Sequence, residues 1–95
     1  MIERHITFNV HEGRGAEFER FFTDVYRPAM AQSTGFVSVG LLREMDHPSR
    51  YQMVLRFADL EAATGWRTSQ AHQALQPQLG ALHSGMEIVA YDVLA

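Results

Sequence analysis

The chain has 95 residues, of which 46% are apolar, 20% are charged and 11% are aromatic. This length supports one small hydrophobic core, and the globular composition excludes an intrinsically disordered chain. The absence of cysteine excludes disulfides and thiolate chemistry, and a net charge of −3 without a basic cluster argues against nucleic acid as a partner.

The first residues of the chain bear on its location. Met1–His5 carry charges in place of the apolar segment of a secretory signal. No apolar run approaches the roughly 20 residues of a membrane helix. We therefore expect a cytoplasmic protein with no membrane partner. All eight basic residues are arginine, which we interpret as the codon bias of a GC-rich bacterium.

A strand and a helix are predicted in the first third of the chain. In residues 2–10 a mainly apolar set of side chains alternates with a polar set, which is the period-two pattern of a half-buried strand. Apolar residues at steps of three and four then predict a helix from Ala16 to about Gln32. Pro28 is expected to kink or tighten its last turn, and Gly35 to follow as a left-handed cap residue.

A hairpin, a second helix and a last strand are predicted in the remainder of the chain. Asp59 is the expected N-cap of the second helix. That helix should break near Thr68 and Ser69 and bend or restart at Pro77. The hairpin strands are Phe36–Glu44 and Tyr51–Phe57, the helix extends to about Leu82, and the last strand is Met86–Leu94.

This order of elements predicts an α+β fold in one domain, residues 1–95. It is the βαββαβ order of a ferredoxin-like subunit, an antiparallel sheet with both helices on one face. The other face is left without a helix, and small domains have little core of their own. We therefore expect a homodimer in which two sheets pack as a dimeric α+β barrel. The uncovered face carries His5, Thr7, Asn9, Gln52 and Arg56.

Two aromatic residues of the second helix are candidates for a site. Trp66 is the only tryptophan, and His72 lies beside the apolar stripe of Leu75 and Leu79. A core position is the usual meaning of either residue. Six residues span about 600° of an ideal helix, so the two side chains converge only if the helix breaks between them.

Other kinds of site lack essential residues. His72 and His83 are eleven residues apart, about three helical turns, which is too far for one metal ion. His11 and Glu12 begin like a zinc-protease motif, but the second histidine is missing. Gly13 and Gly15 lack the third glycine of a dinucleotide motif, and no serine stands in a Gly-x-Ser-x-Gly context. We expect no metal and no nucleotide.

Two stretches resemble the antibiotic biosynthesis monooxygenase superfamily of dimeric α+β barrels. They are Tyr51–Asp59 and Trp66–Leu75, the latter with the pattern Trp-x-x-Ser-x-x-His. Arg27-Pro28 and Gly35-Phe36 also resemble the family, so the resemblance covers nearly the whole chain. Similar domains include cofactor-free oxygenases of polyketide phenols, quinol oxygenases, haem-degrading oxygenases and members with no demonstrated activity.

The resemblance implies a cofactor-independent monooxygenase that oxidises a small aromatic phenol, anthrone or quinol with dioxygen. Trp66 would pack on the substrate ring, and His72 would hydrogen-bond or deprotonate its hydroxyl group. One alternative is a non-catalytic dimeric domain that binds a small hydrophobic metabolite. Another is a haem-degrading oxygenase, a poorer match because the first-strand asparagine of that branch falls near Ile6. The candidate substrate-binding residues, which ordinary core packing also explains, are Phe22, Tyr26, Tyr51 and Met53.

Overall fold

A computed structural model describes all 95 residues. Its four strands form one antiparallel sheet in the order β2-β3-β1-β4. The predicted ferredoxin-like α+β fold is therefore confirmed. The strands are β1 Ile2–Val10, β2 Phe36–Arg43, β3 Arg50–Phe57 and β4 His83–Asp92; the helices are α1 Gly15–Phe21, α2 Arg27–Ala31, α3 Leu60–Arg67 and α4 Gln70–Gly80.

The first predicted helix is one helical run with a wider turn in its middle. A π-helical turn, Phe22–Tyr26, joins α1 to α2 directly before Pro28. Proline has no N–H and its ring disfavours a regular helical turn around it, so a local irregularity is expected at this point. The perturbation predicted at Pro28 thus takes the form of a π turn on its N-terminal side.

The second predicted helix is divided where the sequence indicated. Asp59 accepts a hydrogen bond from the Ala62 N–H at 2.8 Å and caps α3, as predicted. Helix α4 does not restart at Pro77, one of the two predicted outcomes, because it continues through this residue to Gly80. Pro77 has no N–H to donate to the carbonyl of Gln73, four residues earlier. Gln73 is exposed, so water can bind this carbonyl instead.

The last strand begins earlier than predicted, at His83 instead of Met86. Ser84 and Gly85 have turn composition, but Gly85 pairs with Asn9 and His83 with Val10, and Ser84 is the extra residue at the register shift between them. An irregularity of this kind lets a strand continue through residues that sequence patterns assign to a turn.

The core lies between the helices and the inner face of the sheet. All seventeen buried residues are apolar and form one cluster. Strand β3 alternates buried and less buried residues along its length, whereas no residue of β4 is fully buried. Strand β4 is the last strand of the sheet. Its side chains pack only partly against the helices, which leaves a space between β4 and the helices.

The outer face of the sheet has no helix over it. Glu3 accepts hydrogen bonds there from Arg56 Nε and pairs with His5 Nε2, each at 2.6 Å. The ring of Tyr91 lies 4.7 Å from that of His5. Nearly half of the Tyr91 and Val89 surfaces and more than half of the Leu42 surface are exposed. None of the helices has the length and hydrophobicity of a transmembrane segment.

Candidate functional site

A cavity of about 90 Å³ lies between the second helical pair and the β1–β4 side of the sheet. Its wall is mainly apolar, and its open side is formed by Met86 and Ile88 of β4, each about half exposed. The lining residues are Arg4, Ile6, Phe8, Tyr26, Leu55, Trp66, Arg67, His72, Gln76, Leu79, Met86 and Ile88.

The helix break brings Trp66 and His72 together at this cavity. Helix α3 ends at Arg67, and Ser69 begins α4 in an extended conformation. The chain therefore changes direction between the two residues, and their ring centroids lie 5.2 Å apart at 81°. This edge-to-face arrangement is a favourable one for aromatic rings.

Tyr26 is the third aromatic ring of the site. Its centroid lies 5.7 Å from that of Trp66 and 6.5 Å from that of His72. Burial raises the pKa of Tyr26 to about 12, and the Trp66 side chain offsets only part of that rise. The Tyr26 hydroxyl is therefore protonated at neutral pH and is a hydrogen-bond donor, not a base.

The imidazole of His72 is half-buried and only partly hydrogen-bonded. Its Nε2 lies 3.2 Å from Gln76 Nε2, while its Nδ1 is buried with no hydrogen-bond partner. An amide both donates and accepts, so Gln76 can support either tautomer. A buried nitrogen without a partner costs free energy, which a ligand hydroxyl group at this point would recover.

Burial also lowers the pKa of His72, and the positive charges of Arg67 and Arg4 lower it further. The backbone of Arg67 acts in the opposite direction, although it is not within hydrogen-bond geometry of Nδ1. The imidazole is therefore neutral at neutral pH. Neutral histidine is the form that accepts a proton.

The other three candidate substrate-binding residues lie outside the cavity lining. Phe22 is buried with the Arg27 guanidinium over its ring, at 5.9 Å. Met53 is fully buried and pairs with Ile6 across the sheet. The Tyr51 hydroxyl donates to the Glu19 carboxylate at 2.6 Å, 32 residues away in sequence. Of the four residues, the structure brings only Tyr26 to Trp66 and His72.

Arg4 and Gln76 are lining residues that the sequence reasoning did not single out. Arg4 occupies an inward position of β1, between the buried residues Ile2 and Ile6. A charged residue at an inward position of an alternating strand is a signal that could have identified it. Gln76 follows His72 by one helical turn, and that spacing alone carries no such signal.

No three His, Asp or Glu side chains come together in a way that would hold a metal ion. The profile of the antibiotic biosynthesis monooxygenase family matches residues 1–78, most of the chain and both rings of the site. The chain belongs to this family. A search of curated proteins found no match.

Solved structures of this family have the same fold over their whole length. A protein of Bordetella bronchiseptica assigned to it superposes with a TM-score of 0.89 and 22% identity, over 99% of this chain and 97% of the other. One from Caulobacter crescentus gives 0.88 and 22%, over 99% and 90%. SnoaB of Streptomyces nogalater, a cofactor-independent oxygenase, gives 0.88 and 26%, over 99% and 93%.

Proposed function

We propose that this chain is a cofactor-independent monooxygenase that oxidises a small aromatic phenol, anthrone or quinol with dioxygen. The observation that supports this most is the pairing of Trp66 with a neutral His72 in a mainly apolar cavity. Membership of the family and the 26% identity to SnoaB agree with it.

The chemistry asks for desolvation and a proton acceptor. Apolar walls exclude water and strengthen every electrostatic interaction with the substrate. The free nitrogen of His72 accepts the phenol proton, and the resulting anion gives its electrons to dioxygen. In net terms the CH₂ of an anthrone and O₂ yield a carbonyl and water, and a phenol or quinol loses one ring C–H and one O–H hydrogen to give a quinone carbonyl and water, so the substrate supplies all the electrons and no external reductant is required.

The aromatic rings position the substrate. Trp66 and Tyr26 offer edges and faces to a flat ring, and such contacts contribute about 0.5–1.5 kcal/mol each beyond burial. The cavity of about 90 Å³ accommodates roughly one ring. A larger substrate requires Met86 to move aside, which its flexible side chain and exposed position allow. A haem is several times larger than this cavity, which disfavours haem degradation.

We also propose that the chain functions as a homodimer packed through the outer face of the sheet. Leu42, Val89 and Tyr91 expose apolar surface there beside the Glu3 network. A second copy of the same face would cover this surface and the paired polar groups together. The cavity lies on the opposite side of the sheet, so each subunit keeps its own site.

Oxygen uptake by the purified protein, without added cofactor, tests the proposed activity. The substrates are dihydroxynaphthalenes, anthrones and quinols, each measured against its autoxidation blank. Trp66→Phe and His72→Gln should lose most of the turnover. His83→Gln is the matched control, because His83 also has a buried unpartnered Nδ1 and a pKa lowered by burial but does not line the cavity.

Equal losses in the His72 and His83 variants would show that the effect is structural. No uptake by a folded dimeric protein would instead favour the non-catalytic domain that binds a small hydrophobic metabolite. A Soret shift on haem titration that disappears in His72→Gln would favour haem degradation.

A further inference from the structure

Two arginines line the cavity, and no acidic residue lines it with them. Arg4 extends from the inner face of β1, and Arg67 follows Trp66 at the end of α3. The chain has five ion pairs, and neither arginine takes part in any of them. The cavity therefore carries two positive charges that no carboxylate of the chain neutralises.

The two arginines affect each other and the neighbouring histidine electrostatically. Burial lowers the pKa of Arg4, and the charge of Arg67 lowers it further. Both guanidinium groups also lower the pKa of His72. The charge of Arg67 thus disfavours that of Arg4, both guanidinium groups disfavour a proton on His72, and an anion among the three groups would relieve this repulsion.

The position of Arg4 is the part that ordinary packing explains least. A basic residue in the last turn of a helix, such as Arg67, complements the helix dipole. Arg4 has no such role, because its neighbours on the same face of β1 are the buried residues Ile2 and Ile6. A half-buried charge without a partner carries a desolvation cost, which a ligand of opposite charge would offset.

We propose that Arg4 and Arg67 make the cavity selective for aromatic anions over neutral aromatic molecules of the same shape. This inference rests on the proposed function for the role of the cavity and adds the charge of its substrate. The shared chemistry is a single ring that bears a negative oxygen, either an ionised phenol or an aromatic carboxylate. Guanidinium groups bind both through charge-assisted hydrogen bonds.

Binding of unreactive single-ring ligands by calorimetry tests the proposal without any turnover. Benzoate is compared with benzamide, and 4-nitrophenolate, at a pH above its pKa, with 4-nitroanisole. We expect each anion to bind at least about tenfold more tightly than its neutral partner. Arg4→Gln and Arg67→Gln should each remove most of this preference, and Arg4→Lys should restore part of it. Arg20→Gln is the control, an exposed unpaired arginine outside the cavity.

A second readout locates the anion. Benzoate should raise the pKa of His72 measured by NMR and leave that of His83 unchanged, because only His72 shares the cavity with the arginines. A preference for 4-nitrophenolate alone would assign the charge to the ionised phenol, and one for benzoate alone to a fixed carboxylate.

Equal binding of anionic and neutral ligands would overturn the proposal. So would a preference that persists in both glutamine variants, or a failure of every ligand to bind to the folded protein. Anion binding without oxygen uptake would contradict the proposed monooxygenase and leave this inference standing, so the two failures are distinguishable.

Discussion

Ser69 Oγ accepts a hydrogen bond from the backbone N–H of His72 at 3.1 Å. The same oxygen donates to the Trp66 carbonyl at 2.7 Å. One hydroxyl group therefore closes the end of α3 and opens α4, and both rings of the site depend on it. An N-cap serine of this kind contributes about 1 kcal/mol.

We predict that Ser69→Ala lowers the free energy of unfolding by about 1 kcal/mol and also lowers turnover, because the two rings lose their common anchor. Ser69→Asp keeps the cap acceptor but cannot donate to Trp66 as an ionised carboxylate. It should therefore recover stability more than activity, and Ser69→Thr should recover both. Urea unfolding and oxygen uptake measure the two effects; unchanged activity in Ser69→Ala would contradict the prediction.

The two partly buried histidines, His72 and His83, predict a pH dependence of stability. Burial lowers the pKa of both His72 and His83 below the ordinary value of 6.5. As the pH falls below about 6.5, the unfolded chain takes up protons before the folded chain does, so the free energy of unfolding decreases. The decrease should end once the pH falls below the folded-state pKa values.

Urea midpoints measured from about pH 7 to about pH 5 test this dependence. His72→Gln and His83→Gln should each flatten the curve, and the double variant should flatten it most. A wild-type midpoint that stays constant across this interval would show that neither histidine is shifted in the folded protein.

Gly35 is predicted to be intolerant of a side chain. Its φ is +78°, and a Cβ added to it would lie 2.5 Å from the Ala62 Cβ. Left-handed backbone alone costs other residues about 1–2 kcal/mol, and the overlap adds to it. We expect Gly35→Ala to lower the free energy of unfolding by at least about 2 kcal/mol.

Gly65 is the matched control for Gly35. It lies within α3 with open space around the position of a Cβ. Gly65→Ala should therefore stabilise the protein by about 0.5–1 kcal/mol. The midpoint of thermal unfolding should fall in Gly35→Ala and rise in Gly65→Ala. A shift in the same direction in both variants would contradict one of the two predictions.

The proposed dimer predicts that a charge in the middle of the outer sheet face separates the subunits. Val54 lies there, paired with His5 on the neighbouring strand. Val54→Asp should give a monomer by light scattering, since each subunit would bury an unpaired carboxylate in the interface. Leu60→Asp is the control, because Leu60 is 61% exposed on α3, away from that face. Dimers in both variants would exclude this face as the interface.

Local patterns predicted most of the fold. The alternation of β1 indicated its bounds, Ile2–Val10, and the short acceptor side chains of Asp59 and Ser69 indicated where helices begin. Two features were not predicted. The start of β4 at His83 depends on pairing with β1, which is distant in sequence, and the continuation of α4 through Pro77 depends on the exposure of Gln73 to solvent.

The site was predicted less completely than the fold. The Trp-x-x-Ser-x-x-His pattern holds the two rings and the hydroxyl group between them, so local spacing was sufficient for Trp66 and His72. Helical periodicity marks Phe22 and Tyr26 alike as inward residues, but it does not say which end of the sheet each one faces. That information lies in the strand order, which places β4 beside β1, so the cavity lies on that side of the sheet and is lined by Phe8 but not by its β3 partner Tyr51.

The π turn determines the phase of the first helical run. Four of its buried residues follow steps of four, namely Phe18, Phe22, Tyr26 and Met30. In a regular α-helix each such step advances by about 40°, so the last residue would point about 120° away from the first. The wider turn absorbs this drift by holding one additional residue. Deletion of Asp24 would therefore give a regular α-helix in which Tyr26 follows Phe18 after seven residues, about 700°, so the Tyr26 ring would keep its place in the cavity wall.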